Sequence, residues 1–245
     1  TAGDFRYNTD DNRVEYYDGA DWFQIDDEAL PVACTTDTIN YPTGTTNTAY
    51  YKMSDATDST LNAYNGTATD VDFNVQGKFG NAGEFNGSSS SYMTTPLDFD
   101  NLTDYSISMW IYIPATLSNI TFFAGTVQNS GALNGIYFAI NTDNTIRWYE
   151  RNASTSITLL TSTDTITVGS WNNVVAVRDG GTNYLYVNNG TPVSASNASI
   201  THATDFTLGR AGAYTVGPLN GKIDQVRIFS TALTAANVTS LYNEV

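Results

Sequence analysis

From Ser106 to Ile113 the chain alternates without a fault. Ile107, Met109, Ile111 and Ile113 fall on one side, Ser106, Ser108, Trp110 and Tyr112 on the other. Successive side chains of a strand point to opposite faces, so this period of two predicts a β-strand with one apolar face. Pro114 ends it, because proline donates nothing to a strand ladder. Short runs of the same kind recur. Residues 135–140 lead into Asn141-Thr142-Asp143-Asn144, and 145–150 return, which predicts a hairpin. Residues 183–187 meet Asn188-Asn189-Gly190, and Asn-Gly is the strongest short hairpin signal. One helix is well signalled. Thr234 is its N-cap, Leu233 packs on Val238 as a staple, and the helix runs from Ala235 to about Tyr242, docking Val238 and Leu241. Many strands, one terminal helix and no alternation of strand with helix predict an all-β antiparallel two-sheet sandwich or jelly roll.

At 245 residues the chain is long enough for one large sandwich and a small extra module. Apolar residues make up 41%, which supports a packed core rather than a disordered chain. The net charge is −15, from 25 acidic and 10 basic residues. Nucleic acid would be repelled, and no basic stripe collects phosphates. The acidic balance favours divalent cations, although a solvated surface explains any single carboxylate as well. Cys34 is alone, so no disulfide can form within the chain; one between chains stays open. No stretch is apolar enough to span a bilayer. The chain begins at Thr1 without a signal peptide, as a processed product or fragment would.

Three segments are expected. Residues 1–25 carry short β runs parted by Asp, Asn and Gly, which read as hairpins too small to bury a core alone. Residues 26–47, with Asp26-Asp27-Glu28, Pro31, Pro42 and many Thr, read as a linker. Residues 48–245 form the sandwich.

Two resemblances sharpen this. Gly3, Arg6-Tyr7-Asn8, Glu15-Tyr16-Tyr17-Asp18-Gly19 and Trp22 resemble the short β-hairpin element of phage tail fibres. Bacterial surface proteins carry similar elements. In the third segment four stretches, in order, resemble the laminin-G-like, concanavalin A-like lectin family. They are Ala49-Tyr50-Tyr51-Lys52-Met53 with Asp58-Ser59; Gly77 to Gly87 with Tyr92-Met93; Trp171 to Arg178 with Leu185 to Asn188; and Gly221 to Phe229 with Ala232-Leu233-Thr234. That resemblance implies a two-sheet jelly roll. It also implies a structural calcium ion held by Asp58 and Asp224, with Asn62 or a nearby carbonyl completing the shell. The competing reading is that Asp58 caps a turn and Asp224 pairs with Arg227 or Lys222.

The family also hosts glycan hydrolases, which need two carboxylates at a set separation. Here the five glutamates, Glu15, Glu28, Glu84, Glu150 and Glu244, form no cluster, and His202 is the only histidine. Neither a nucleophilic triad nor a zinc site has its residues, so an enzyme is not expected. A glycan site needs exposed rings to pack on sugar C–H faces, with polar groups beside them. Trp148, Tyr149, Arg147 and Arg151 on one hairpin qualify. So do Trp110 with Tyr112, if their face is the concave sheet, and Tyr214 in the loop from Arg210 to Pro218. Core packing competes with ligand contact at each.

The expected function is a non-enzymatic virion appendage, a tail or head fibre. Its N-terminal hairpins would attach or trimerise it, and its lectin-like domain would bind host cell-surface glycan by avidity. Two alternatives stand beside it. One is a structural decoration domain of a phage capsid or fibre; the other is a bacterial secreted adhesin or carbohydrate-binding accessory module. In each the chain works on a virion surface or outside a cell, without membrane insertion.

Overall fold

The computed structural model describes residues 5–8, 13–17, 20, 22–25, 38–100, 102–126, 135–151, 157–196 and 204–245. Cys34 and His202 lie outside them. The chain divides into two units, Thr1–Val32 and Ala33–Val245. Among the described residues no helix is long and apolar enough to cross a membrane.

The first unit is a three-stranded antiparallel meander of β1 (Phe5–Asn8), β2 (Arg13–Tyr17) and β3 (Trp22–Ile25). Phe5 pairs with Tyr16, and Tyr17 with Trp22, so residues expected to form hairpins do so.

The second unit begins its strands with β4 (Ala49–Tyr51), β5 (Thr67–Thr69), β6 (Val71–Gln76), β7 (Asn81–Asn86) and β8 (Tyr92–Thr94). The alternating run is β9 (Tyr105–Tyr112). After it come β10 (Thr121–Gly125), β11 (Gly135–Ile140), β12 (Thr145–Arg151) and β13 (Ile157–Thr165). The last strands are β14 (Trp171–Asp179), β15 (Thr182–Val187), β16 (Val193–Ser196), β17 (Thr207–Leu208) and β18 (Asn220–Phe229), followed by helix α1 (Ala235–Tyr242). They form two antiparallel sheets. One has seven strands in the order β13-β12-β11-β10-β17-β8-β5. The other has eight, in the order β16-β15-β14-β9-β18-β7-β6, with β4 paired to β18.

The core lies between the sheets. Ile107, Met109, Ile111 and Ile113 point into it from one layer; Phe123, Phe138 and Trp148 point in from the other. One ion pair also lies inside. Glu150 on β12 accepts from Arg178 at 2.6 Å, from Tyr105 Oη at 2.6 Å and from Asn183 at 2.5 Å, all on the opposite sheet. Burial pushes the Glu150 carboxyl up, and Arg178 opposes that shift. A buried charge stripped of its partner costs about 3–5 kcal/mol, so this pair ties the layers together.

Ser106, Ser108 and Trp110, on the far side of β9, are buried too. The reason is α1, which lies against the outer face of the eight-stranded sheet with Val175, Val177, Phe229, Leu233, Val238 and Leu241 between. Thr234 caps α1: its Oγ1 accepts from Asn237 N at 3.2 Å, and Asn237 Oδ1 accepts from Thr234 N at 3.0 Å. Leu233 and Val238 share one apolar cluster, as a staple requires. Ser106 Oγ accepts from Leu233 N and donates to Thr231 O, both at 2.9 Å, so a small polar residue anchors the approach to the helix. Part of the stretch expected as linker also packs here. Tyr41 leans on the same cluster, and Thr38 O accepts from Arg227 at 3.0 Å. Rings and backbone carbonyls in a Thr/Pro-rich stretch can dock as well as link.

Candidate functional site

Among the described residues no helix lies over the outer face of the seven-stranded sheet, and β12 shows what it presents. Ile146, Trp148 and Glu150 are buried, while Arg147, Tyr149 and Arg151 are half-exposed on the other side. The register sets Tyr137 of β11 opposite Tyr149. Their rings stack, 4.6 Å apart at 12°. Phe122 of β10 pairs with Ala139, two residues from Tyr137 on β11, so it lies on the same face. Its ring meets Tyr137 at 5.5 Å and Tyr214 at 5.0 Å, both edge to face. Tyr214 comes from the loop before β18. That loop is tied by Tyr214 N to Ala211 O at 3.0 Å and by Phe122 N to Gly217 O at 2.7 Å. Gly217 has φ +60°, and a Cβ there would lie 2.4 Å from Ile120 O, so only glycine fits this corner. Four rings thus form one cluster. Burial first, and then the neighbouring Tyr149, push the Tyr137 hydroxyl well above the ordinary tyrosine value, while Arg147 and Arg151 draw it down. At neutral pH it keeps its proton and can donate.

Register carries the row across the sheet. Leu159 stands opposite Tyr149, Tyr149 opposite Tyr137, Tyr137 opposite Gly125, Gly125 opposite Thr207, and Thr207 opposite Thr94, which faces Thr67. Leu159 is 41% exposed, unusual for a leucine in mid-strand. Gly125 leaves a break in the row, because a Cβ there would lie 2.6 Å from Ile136 O. Beyond it lies a depression of about 370 Å³, lined by Thr94, Thr126, Thr207, Asp205, Arg210 and Ala213. Arg210 lies over the Tyr92 ring at 3.6 Å and donates to Ser89 O at 2.7 Å. Apolar rings at one end and hydroxyls at the other give this face both things a sugar chain needs.

The structure gathers Arg147, Tyr149, Arg151 and Tyr214 on this face and separates the other ring candidates from it. Trp148 is a core residue, 1% exposed and stacked on Phe138 at 6.0 Å. It is inward by the alternation that turns Tyr149 outward, so it offers no surface to a ligand. Trp110 is covered by the end of α1: Nε1 donates to Glu244 at 2.7 Å, and Tyr242 stacks on it at 5.9 Å. Tyr112 is half-buried beside Trp171, with Lys222 Nζ 5.7 Å from its ring, on the other sheet. The sequence reading passed over Tyr137, Phe122 and Leu159. Tyr137 has a signal, the hairpin register opposite Tyr149; Phe122 depends on the pairing of β10 with β11, for which the sequence has none.

Asp58 is the best-satisfied carboxylate on the described chain. Its Oδ1 accepts from Tyr50 N and Thr60 N, and its Oδ2 from Tyr64 N and Thr60 Oγ1, all within 2.7–2.9 Å. Donors therefore fill both oxygens, and a cation does not fit there without displacing them. Asp224 accepts from Phe79 N at 2.9 Å and Gln225 N at 2.7 Å, and also from Lys78 N. Asn62 donates its side-chain amide to Thr48 O at 2.8 Å. Among the described residues no three His, Cys, Asp or Glu stand together as a metal site.

Comparison with known proteins places the sandwich. The family described as the concanavalin A-like lectin/glucanases superfamily, laminin-G type, matches residues 85–239. No curated protein matches the chain. Among solved structures, domain 4 of AbnA, a GH43 extracellular arabinanase from Geobacillus stearothermophilus, in complex with arabinotriose, is 25% identical. Its TM-score is 0.63, over 80% of this chain and 98% of that one. The binding domain of Paraclostridial Mosquitocidal Protein 1 is 17% identical with a TM-score of 0.65, over 80% and 51%. The ligand binding domain of botulinum neurotoxin serotype D, in complex with N-acetylneuraminic acid, is 16% identical with a TM-score of 0.64, over 80% and 50%. This chain thus spans about half the length of the two toxin domains, whose likeness is one of fold. With more than half of its length matched by the family, the chain belongs to the concanavalin A-like lectin/glucanases superfamily.

Proposed function

We propose that the sandwich is a non-catalytic glycan-binding domain whose ligand lies on the outer face of the seven-stranded sheet. The observation that carries this is the ring cluster in which buried Tyr137 backs the half-exposed Phe122, Tyr149 and Tyr214, beside Arg147 and Arg151 on a face that no helix among the described residues covers. The arabinanase domain, nearly all of which this chain spans, was solved with arabinotriose. Binding without catalysis is supported by Glu150, the carboxylate nearest the cluster in sequence, whose oxygens face inward to Arg178, Asn183 and Tyr105.

The test is a glycan array on the full chain, with calcium and then with EDTA, beside Tyr149→Ala. Binding to a defined glycan class that Tyr149→Ala abolishes is the expected result. No binding by folded protein in either buffer would overturn it. Loss in EDTA alone would bring calcium at Asp58 and Asp224 back into the account, with rearrangement of the donors around Asp58.

For the setting we propose a trimeric virion appendage, in which the N-terminal meander attaches or oligomerises the chain and avidity multiplies weak sugar contacts. The resemblance of residues 1–25 to tail-fibre elements supports this. A second reading, an accessory module of a polysaccharide-degrading enzyme, is favoured by the match to a domain of an arabinanase. Native mass measurement separates them, since a module of that kind has no need of a trimer.

A further inference from the structure

Cations are scarce in this chain, with seven arginines and three lysines against 25 acidic residues. In the sandwich, Arg178 and Arg227 are buried and paired, with Glu150 at 2.6 Å and Glu244 at 3.1 Å. The other three sandwich arginines, Arg147, Arg151 and Arg210, all serve the open face. Arg147 and Arg151 flank the Tyr137–Tyr149 stack, and Arg210 lines the threonine depression. Among the described residues none of the three makes an ion pair. The Nε atoms of Arg147 and Arg210 are buried without a hydrogen-bond partner.

From this we propose that the ligand is an extended acidic glycan whose sugars carry carboxylates, lying along the row from Leu159 to Thr67. The proposal rests on the reading of this face as a glycan site, and it names the class of glycan. Guanidinium is the side chain whose planar fork matches a carboxylate, and it stays charged beside aromatic rings. The row crosses seven strands, about 29 Å at the usual strand spacing, which is the reach of a chain and not of one sugar. Sugar faces pack on Tyr149, which Tyr137 backs, carboxylates meet Arg147 and Arg151, and hydroxyls reach Thr94 and Thr67 across the gap at Gly125. Among the described residues two carboxylates stand by the three arginines: Asp143, near Arg147, and Asp205, in the depression. They leave the Arg151 end the more positive. The net charge of −15 opposes approach of any polyanion, but at physiological salt charges beyond about 8 Å are largely screened, so the nearby guanidinium groups decide the outcome.

The experiment is calorimetry of the full chain with oligomers of galacturonan, alginate and hyaluronan, each beside its carboxyl-reduced neutral counterpart. At least one acidic oligomer should bind, its neutral counterpart at least about tenfold more weakly, with affinity falling as salt rises. Arg147→Gln and Arg151→Gln should each weaken binding about tenfold. Arg147→Lys, which keeps the charge and loses the fork, should recover only part. Circular dichroism would confirm that each variant is folded. Equal binding of acidic and reduced oligomers, or binding indifferent to both arginines, overturns the acidic ligand. If Tyr149→Ala still abolishes that binding, the glycan site itself stands. A folded protein that binds none of the six oligomers and no glycan on the array takes both readings down.

Discussion

The two outer faces of the sandwich start alike and end differently. Each carries rings and aliphatic side chains on alternate strand positions. On the eight-stranded sheet, α1 and residues around Tyr41 close over them, so Trp110 is buried on a face that alternation alone would leave exposed. On the seven-stranded sheet no helix among the described residues does, and Leu159 is 41% exposed beside the half-exposed rings that lie over Tyr137. Apolar residues under a cover are explained by stability. Those without one need a different reason, since exposed contiguous apolar surface marks interaction sites.

Mutation can break this contrast. Trp110→Ala removes a ring held between β9 and α1 and should cost about 3–5 kcal/mol by urea denaturation, leaving glycan binding by the folded fraction intact. Tyr149→Ala on the open face should cost far less; an equal cost would mean that this face, too, is held by packing. The next effect concerns pH. Burial raises the Asp224 carboxyl to about 7 from an ordinary 3.8. The native state therefore holds this proton more tightly than the unfolded chain. That stability is fully present below about pH 4 and is lost as pH rises through about 7, on the order of a few kcal/mol. Glu150, also raised by burial, adds the same sign. Denaturation across this range should show the fall, and Asp224→Asn should flatten it; an unchanged slope would remove Asp224 as its cause.

Smaller effects sharpen the contrast. Thr234→Ala deletes the cap of the covering helix and should cost about 1 kcal/mol, read as a lower urea midpoint at unchanged slope. Leu159→Ser should change stability by less than about 0.5 kcal/mol while weakening binding of the array's best glycan. Loss of stability without loss of binding would reassign Leu159 to packing.

Much of the fold was legible because it rests on period. Residues 106–113, the hairpin through Asn141 to Asn144 and the capped terminal helix form as expected, each set by local rules. The site was legible only in part. Alternation on β12 fixed that Trp148 and Tyr149 face opposite ways but not which way is out, since that depends on the sheet packed behind. Trp110 has the same ambiguity, resolved by a helix more than a hundred residues later. Tyr137 sits in an apolar run whose only mark is its register opposite Tyr149, and Phe122 joins it through the pairing of β10 with β11. Asp58 looks like a cation ligand in the sequence, yet its oxygens are met by donors from Tyr50, Thr60 and Tyr64, of which Tyr50 and Tyr64 lie six to eight residues away.

Three of the four clustered rings stand on adjacent or bulged strands, whose spacing is set by the backbone ladder. The fourth, Tyr214, arrives on a loop whose exit is pinned where Gly217 passes Ile120 O. That division makes the loop a replaceable finger on a rigid palm. Within it Ala211 is buried against Tyr137, while Ala213 to Val216 lie outside every strand pair of β10, β11 and β12. Drift in this short stretch would then reshape the rim of the ring cluster, while the scaffold beneath it stays as it is.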